Sequence, residues 1–484
     1  MRARNTVLAA AGALVVLAGV GLGAGYALGA PLSATPARVS ASLSSPSSAS
    51  SPSSPGASRS TRPLVAAPRV TPSRPVPKQT VAASLLRTCS IASAAKDPRL
   101  FHFEGSVVNA KTGETLFDRH GSTGSRTASV LKVLTSAAAL HVLGPDYRLT
   151  TRVVRGSKPG QVVLIGGGDV TLSRTPAGTK TAYAGAPHLA TLAARVKAAW
   201  ASDPTTRGTR ITQVVLDSSY FGGPVWQPSW DDVERRMGTT PRITALMVDG
   251  DRANPAAETS PRGLDPIGRA GTAFANLVGS GVATTRGTAP AGAQVLGSVH
   301  SQPVSTLVKQ ALLVSDNTIA EALARVTAIR SGDGNTFAAE QAGTVGALAA
   351  YGIDTTGMKI KDGSGLSPDN RVKPASLSAL FIQVLHRAHG LGAIYDGLPV
   401  AGRTGTLAYP DRFTGAAARA RGQVRAKTGW IDTGYMLSGL IHSRDGTWLT
   451  FAFMAVGPVH PSTKTALDAL TADAWDCGAN LSNR

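Results

Sequence analysis

A serine and a lysine three residues apart, Ser129 and Lys132, are the residues of this chain whose types and spacing best fit covalent chemistry. They lie in an apolar stretch rich in Ala and Leu, residues 127–140, which predicts a buried helix. Residues three apart on a helix share one face, so the hydroxyl and the amine should be neighbours. Burial lowers the pKa of a lysine, and a neutral amine can accept the proton of a nearby hydroxyl. The pair therefore predicts an activated serine nucleophile with Lys132 as its general base.

The Ser-x-x-Lys pattern is common, and the chain contains it again at Ser93 and Lys96. That copy is followed by Asp97-Pro98, which ends a helix and leaves no apolar helix behind it. Two other polar clusters follow the first pair, at Ser315-Asp316-Asn317 and at Lys427-Thr428-Gly429. Each cluster alone would be explained by a helix cap, a turn or a strand end. Together and in this order, the clusters predict one active site.

The neighbouring sequence predicts the elements that must position these clusters. Apolar periodicity indicates helices over 304–313 and 318–329, on either side of the Ser-Asp-Asn cluster. Runs of β-branched and apolar residues indicate strands over 422–426, 436–442 and 448–456. The Lys-Thr-Gly cluster is therefore expected at the end of a strand.

The order Ser-x-x-Lys, Ser-Asp-Asn, Lys-Thr-Gly resembles that of the penicillin-recognising acyl-serine transferases. Within them the chain looks most like the D-alanyl-D-alanine carboxypeptidase/endopeptidase group, the penicillin-binding protein 4 type of peptidase family S13. The closer resemblance is carried by five further stretches, residues 166–172, 217–221, 245–249, 362–367 and 402–407. It implies an α+β fold, in which a β-lactamase/transpeptidase-like domain with an antiparallel five-stranded sheet flanked by helices carries an inserted α+β lobe.

The resemblance also implies catalytic roles. Ser129 would attack the carbonyl of a peptide bond between two D-alanines, with Lys132 as the base. Ser315 would relay a proton to the leaving amine. Asn317 would hold Lys132 and a substrate amide, because its side chain has one donor end and one acceptor end.

The third cluster is implied to bind the substrate. Lys427 and Thr428 would bind the terminal carboxylate, and Gly429 would let the strand approach the substrate closely. The oxyanion hole would consist of the backbone N–H groups of Ser129 and Trp430. The family usually has a small residue where Trp430 stands, so a narrower rim of the site is expected.

The function implied is that of a serine-type D-Ala-D-Ala carboxypeptidase or endopeptidase. It would act on peptidoglycan stem peptides through an acyl-enzyme, would be inhibited by β-lactams as covalent ligands, and would need no metal or organic cofactor. One alternative is a serine β-lactamase, whose common class uses a Glu between the second and third clusters. Only Glu321 and Glu340 lie there, and neither begins a Glu-x-x-Leu-Asn pattern. A second alternative is a non-catalytic cell-wall-binding protein with the same fold.

Charge is distributed unevenly along the 484-residue chain, whose net charge is +20. No Asp or Glu precedes Asp97, and residues 1–96 hold ten Lys and Arg. These cations are dispersed among Ser, Pro and Ala, which favours non-specific attraction to an anionic cell envelope over nucleic-acid binding.

The composition divides the chain into segments. Residues 1–36 have a short basic start and a long uncharged run, which predicts a secretory signal peptide or an uncleaved membrane anchor. Either places the rest of the chain outside the cytoplasm, with membrane contact only through an uncleaved leader. Residues 37–80 predict a disordered Ser/Pro/Ala-rich linker. The transpeptidase-like domain is predicted over 81–146 and 286–484, and the inserted lobe over 147–285.

Two cysteines, Cys89 and Cys477, lie near the two ends of the predicted folded region. In an oxidising compartment a disulfide bond between them would tie these ends together. Two unpaired thiols are the alternative. Two cysteines without a neighbouring pair of histidines do not make a zinc site.

Overall fold

The computed structural model describes residues 86–483. The predicted leader (1–36) and linker (37–80) lie outside the described residues. Within 86–483, no helix combines the length and the apolar character that crossing a bilayer requires.

Strands and helices are interspersed along the described chain. The strands are β1 (Cys89–Ser90), β2 (His102–Asn109), β3 (Thr115–Arg119), β4 (Thr150–Arg155), β5 (Gln161–Ile165), β6 (Gln213–Asp217), β7 (Ala283–Arg286), β8 (Val295–His300), β9 (Val424–Ile431), β10 (Gly434–His442), β11 (Trp448–Val456) and β12 (Leu481–Ser482). The α-helices are α1 (Leu131–Val142), α2 (Leu189–Ser202), α3 (Val233–Met237), α4 (Pro266–Val278), α5 (Val304–Leu313), α6 (Asn317–Ser331), α7 (Ala339–Ala349), α8 (Pro374–Leu385), α9 (Gly392–Gly397) and α10 (Pro461–Cys477).

A five-stranded antiparallel sheet with the strand order β3-β2-β11-β10-β9 forms the centre of one domain. Successive side chains of a strand point to opposite faces, and both faces of β10 are buried. Met436 and Leu440 enter a core shared with α1, α5, α6 and α8. Leu437 and Ile441 enter a second core shared with α10. The predicted α+β fold, with a sheet between helices, is confirmed.

The sequence predicted the Lys-Thr-Gly cluster at the end of a strand. In the structure it lies inside β9. β9 continues beyond Gly429 because Trp430 and Ile431 still pair with β10. Glycine has a low strand propensity, so the sequence pattern predicted that the strand ends here. Pairing with β10 extends the strand in spite of this low propensity. β9 is the outermost strand of its sheet, which puts Lys427–Gly429 at an edge.

A second five-stranded sheet has the order β7-β6-β5-β4-β8. β4 is antiparallel to β5 and β8, whereas β5, β6 and β7 are parallel. Helices α2 and α4 share a core with this sheet. The sheet extends beyond residue 285, the predicted end of the lobe, because β8 pairs with β4. Gly297 and Ser298 interrupt the apolar run of β8, which is why the pattern predicted no strand there.

The two ends of the described chain meet. β1 and β12 form a two-stranded parallel sheet, and Cys89 and Cys477 are joined by a disulfide bond. Their Cα atoms lie 5.4 Å apart across a sequence separation of 388 residues.

Candidate active site

Ser129 lies in a 3-10 turn, Ala128–Val130, immediately before α1. The predicted helix thus begins two residues after the serine, because Ala128 has a left-handed φ of 42° that an α-helix does not permit. Two glycines make room for this turn. A Cβ at Gly429 would lie 2.9 Å from the carbonyl oxygen of Thr127, and one at Gly365 would lie 1.8 Å from that of Ala128. Ser129 is therefore held where β9 and the segment around Gly365 come closest to α1.

Lys132, in the first turn of α1, is fully buried. Its Nζ donates hydrogen bonds to the Ser129 hydroxyl at 2.7 Å, to Oδ1 of Asn317 at 2.6 Å and to the carbonyl oxygen of Ser364 at 2.8 Å. An ammonium has three donors, so each has a partner here. Burial lowers the pKa of this lysine to about 8, against nearby carboxylates that favour the charged form. The predicted nucleophile and base are thus in direct contact.

Ser315 and Lys427 form a second hydroxyl–amine pair. Nζ of Lys427 donates to the Ser315 hydroxyl at 2.9 Å and to the carbonyl oxygen of Thr428 at 2.8 Å. Ser315 connects α5 to α6 in a left-handed conformation, with φ of 61°. Lys427 is fully buried, and burial together with the charge of Lys132 holds its pKa well below the ordinary lysine value. The structure brings together the second and third clusters, 112 residues apart in sequence.

Two residues on β9 face the open side of the site. The Thr428 hydroxyl lies 2.8 Å from that of Thr406, in the 3-10 turn Gly405–Leu407. Trp430, two residues further on the same face of the strand, is 50% exposed, and its ring centre lies 6.3 Å from that of Tyr435. Thr406 had no predicted role, although it lies in one of the stretches that carry the family resemblance.

The segment 362–367, one of the stretches that carry the family resemblance, contacts Lys132 directly. The carbonyl of Ser364 accepts from Lys132, and backbone N–H groups of Gly363 and Ser364 donate to the Glu321 carboxylate at 3.1 and 2.7 Å. Asn317 and Glu321 are one helical turn apart on α6. The same face of this helix therefore contacts Lys132 through Asn317 and, through Glu321, holds the segment whose Ser364 carbonyl also accepts from Lys132. A main-chain acceptor has no side-chain signature, which is why the sequence did not predict it.

A cleft of about 420 Å³ brings the predicted site residues together. Its lining includes Ser129, Ser315, Asn317, Thr428, Gly429 and Trp430. Lys132 and Lys427 are buried beneath it and reach it through the serine hydroxyls. Another part of the wall comes from the region of the second sheet and includes Glu234, Arg252, Glu258 and Arg262, none of which the sequence had predicted.

The sheet, the flanking helices and the three clusters define a serine peptidase of the penicillin-recognising class. The chain belongs to the D-Ala-D-Ala carboxypeptidase 3 (S13) family, which matches it over residues 87–273 and 277–474. This membership confirms the predicted penicillin-binding protein 4 type of D-Ala-D-Ala carboxypeptidase.

Relatives of known name agree with this membership. The chain is 36% identical to carboxypeptidase DacB of Mycolicibacterium smegmatis over 423 residues, which are 86% of this chain and 89% of that protein. It is 28% identical to a D-alanyl-D-alanine carboxypeptidase of an Actinomadura species, over 78% of this chain and 82% of that protein. The crystal structure of penicillin binding protein 4 of Haemophilus influenzae matches with a TM-score of 0.64 at 20% identity, over 78% of this chain and 96% of that one. This last similarity supports the fold.

Proposed function

We propose that the cleft hydrolyses the D-Ala-D-Ala bond of peptidoglycan stem peptides through an acyl-enzyme on Ser129. The observation that carries this proposal is the contact of 2.7 Å between a partly exposed serine hydroxyl and a fully buried lysine amine. A surface lysine would be almost entirely protonated at neutral pH, whereas the pKa of this one is lowered to about 8, so that a minor but appreciable fraction of it is the neutral amine. The amine is also within reach of the proton that it must remove.

Acylation begins when Oγ of Ser129 attacks the carbonyl carbon and its proton passes to the neutral amine of Lys132. The developing oxyanion accepts hydrogen bonds from the backbone N–H groups of Ser129 and Trp430, each worth about 10²–10³ in rate in comparable sites. The C–N bond then breaks, and the proton taken up by Lys132 is relayed through the Ser315 hydroxyl to the departing amine of the terminal D-alanine, which leaves Lys132 neutral and Ser315 as a hydroxyl again. Water hydrolyses the remaining ester and frees Ser129.

Substrate binding is assigned to the edge strand β9. Lys427 and Thr428 bind the terminal carboxylate of the peptide or the acid group of a β-lactam. Gly429 lets β9 pack closely against the turn that carries Ser129, because a Cβ there would lie 2.9 Å from the carbonyl oxygen of Thr127. Asn317 offers its amide N–H to a substrate carbonyl while its oxygen stays on Lys132. An extended peptide can align along an outermost strand by main-chain hydrogen bonds, which also suits an endopeptidase substrate.

A β-lactamase is not favoured by the positions of the two candidate glutamates. Glu321 accepts two backbone N–H groups of the segment 362–367, and Glu340 pairs with Arg325 at 2.9 Å. Both are fully buried, and neither lines the cleft. With neither glutamate at the cleft, β-lactams are expected to act as slowly released covalent inhibitors.

The site of action is proposed to be the cell wall, outside the cytoplasm. A peptidoglycan substrate requires export, and the leader predicted over 1–36 would supply it as a signal peptide or an anchor. The linker predicted over 37–80 would then separate the enzyme from the membrane.

Covalent labelling with a fluorescent penicillin tests the proposal. The wild-type protein should be labelled with slow turnover, and Ser129→Ala should abolish labelling while leaving the thermal unfolding midpoint unchanged. Ser93→Ala is the matched control, because Ser93 begins the other Ser-x-x-Lys and is exposed. Labelling that persists in Ser129→Ala, or that is lost in Ser93→Ala, would refute the assignment of the nucleophile. Mass spectrometry of muropeptides before and after incubation would distinguish loss of terminal D-alanine from cleavage of cross-links.

A further inference from the structure

The central residue of the Ser-Asp-Asn cluster is a buried carboxylate with partners on two sides. Asp316 is the N-cap of α6, and its Oδ1 accepts the backbone N–H of Ile319 at 2.8 Å. Its Oδ2 accepts Nη2 of Arg252 at 2.9 Å, and the Tyr183 hydroxyl donates to the same oxygen at 3.3 Å. The side chains of Asp316 and Arg252 are only 5% and 3% exposed, so this ion pair is almost shielded from solvent.

Arg252 belongs to a different part of the chain from the residue that it holds. It follows the turn Asp249–Asp251, in the segment between β6 and α4. Its guanidinium also donates to the carbonyl oxygens of Asp249 and Glu258, both at 3.1 Å, and lies 4.5 Å from the centre of the Tyr183 ring. The contacts with Asp249, Glu258 and the Tyr183 ring hold the guanidinium in place independently of its ion pair with Asp316.

The turn that presents Arg252 is unusual in its backbone. Asp249, Gly250 and Asp251 have φ values of 51°, 58° and 58°, a run of left-handed residues that L-amino acids disfavour. Two ion pairs hold it in this conformation: Asp249 with Arg174 at 3.0 Å, and Asp251 with Arg269 at 2.6 Å. A turn held in this way fixes the position of the Arg252 side chain that follows it.

Both functional members of the cluster depend on the position of Asp316. Ser315 precedes it in a left-handed conformation and accepts from Lys427, and Asn317 follows it and accepts from Lys132. A shift of this carboxylate would therefore move both side chains at once. Misplacement of reacting groups by about 1 Å can cost about 10²-fold in rate.

We propose that Arg252 is a positioning residue for acylation, which acts through Asp316 to hold Ser315 and Asn317 against the two lysines. The region of the second sheet thus completes the active site of the transpeptidase-like domain. This inference rests on the proposed function of Ser129, and its test includes the wild-type protein so that the two can fail separately.

The test compares Arg252→Ala, Arg252→Lys and Arg155→Ala in the full-length protein. Arg155 on β4 is the matched control, because it forms an ion pair with Asp203 at 3.1 Å, outside the turn Asp249–Asp251 and the lining of the cleft. The second-order rate of penicillin acylation should fall about 10²-fold in Arg252→Ala, partly recover in Arg252→Lys, and stay within about threefold of wild type in Arg155→Ala. With a D-Ala-D-Ala peptide, the loss should fall on kcat, with KM little changed, because the residue positions reacting groups. Millimolar guanidinium should restore part of the rate of Arg252→Ala, an effect that a purely structural role would not produce.

Three results would overturn the inference. They are wild-type acylation by folded Arg252→Ala, an equal loss in Arg155→Ala, and a loss confined to KM. If Arg252→Ala does not fold, Arg252→Met combined with Asp316→Asn removes both charges and so leaves no unpaired buried ion. The rate of acylation of that double variant should remain well below the wild-type rate. A wild-type rate in the double variant would refute the inference. Absence of labelling in the wild-type protein would instead contradict the proposed function of Ser129.

Discussion

The two lysines of the site differ in the number of hydrogen bonds that they donate. Lys132 donates to three acceptors, whereas Lys427 donates to two, the Ser315 hydroxyl and the carbonyl oxygen of Thr428. Like charges in one buried site disfavour each other's protonation, and the pKa of Lys427 is lowered by burial and then by Lys132. A bound substrate carboxylate would favour the charged form of Lys427 again, so binding itself is expected to supply this cation.

Acylation should depend on pH through Lys132. The neutral amine is the reactive form, and burial lowers its pKa to about 8. The rate of penicillin labelling should therefore be greatest above about pH 8 and fall about tenfold per pH unit below it, because protonation removes the base. Rates measured from about pH 6 to about pH 10 check this. A rate that is flat down to about pH 6, or that keeps rising to about pH 10 as for an ordinary lysine, would contradict it.

At the scale of elements, the site depends on close backbone approach between α1, β9 and the segment 362–367. This segment is held by the carboxylate of Glu321 and by that of Asp362, which accepts the backbone N–H groups of Gly365 and Ser367 at 2.8 and 2.6 Å. Buried polar groups with all partners in place are rigid. The carbonyl of Ser364 is thereby fixed as an acceptor for the base.

Gly365→Ala should disable the site. Its φ is +84°, and the added Cβ would lie 1.8 Å from the carbonyl oxygen of Ala128, so the turn that carries Ser129 must move. Penicillin labelling should be lost or reduced by at least about 10²-fold, and the free energy of unfolding should fall. Gly357→Ala is the matched control, since it has φ of +75° with no atom within 4 Å of an added Cβ. It should cost only about 1 kcal/mol of stability. Equal labelling rates of the two variants, measured beside urea unfolding, would refute the packing argument.

The disulfide bond joins the two ends of the described chain. Cys89 lies in β1, which pairs with β12, and Cys477 is the last residue of α10. Neither cysteine lines the cleft. The bond closes a loop of 388 residues, so its main effect is expected on the unfolded chain.

Removal of the disulfide should lower stability without changing the chemistry. Cys89→Ser combined with Cys477→Ser should reduce the free energy of unfolding by about 2–5 kcal/mol. The folded double variant should be labelled by penicillin at the wild-type rate. Denaturant midpoints with and without reductant check this, because reductant should affect the wild-type protein and not the double variant. Identical wild-type midpoints in both conditions would contradict the prediction.

Local patterns of sequence predicted several elements with their bounds. The apolar periodicity of Val304–Leu313 and the β-branched and aromatic run Trp448–Val456 indicated α5 and β11 as they are found. β9 was predicted too short, because the glycine of Lys-Thr-Gly resembles a strand end until a neighbouring strand pairs with it. Local propensity alone therefore located the elements better than it located their ends.

The sequence was enough to predict the nucleophile, its base and the two other clusters, because side-chain types in a fixed order carry that information. The contact of the Ser364 carbonyl with Lys132, 232 residues away, and that of Arg252 with Asp316, 64 residues away, are seen only in the folded chain. A main-chain acceptor looks the same in every residue, and an arginine has no local sign of the carboxylate that it will meet. Such contacts depend on the packing of distant elements, and they exist only once the chain has folded.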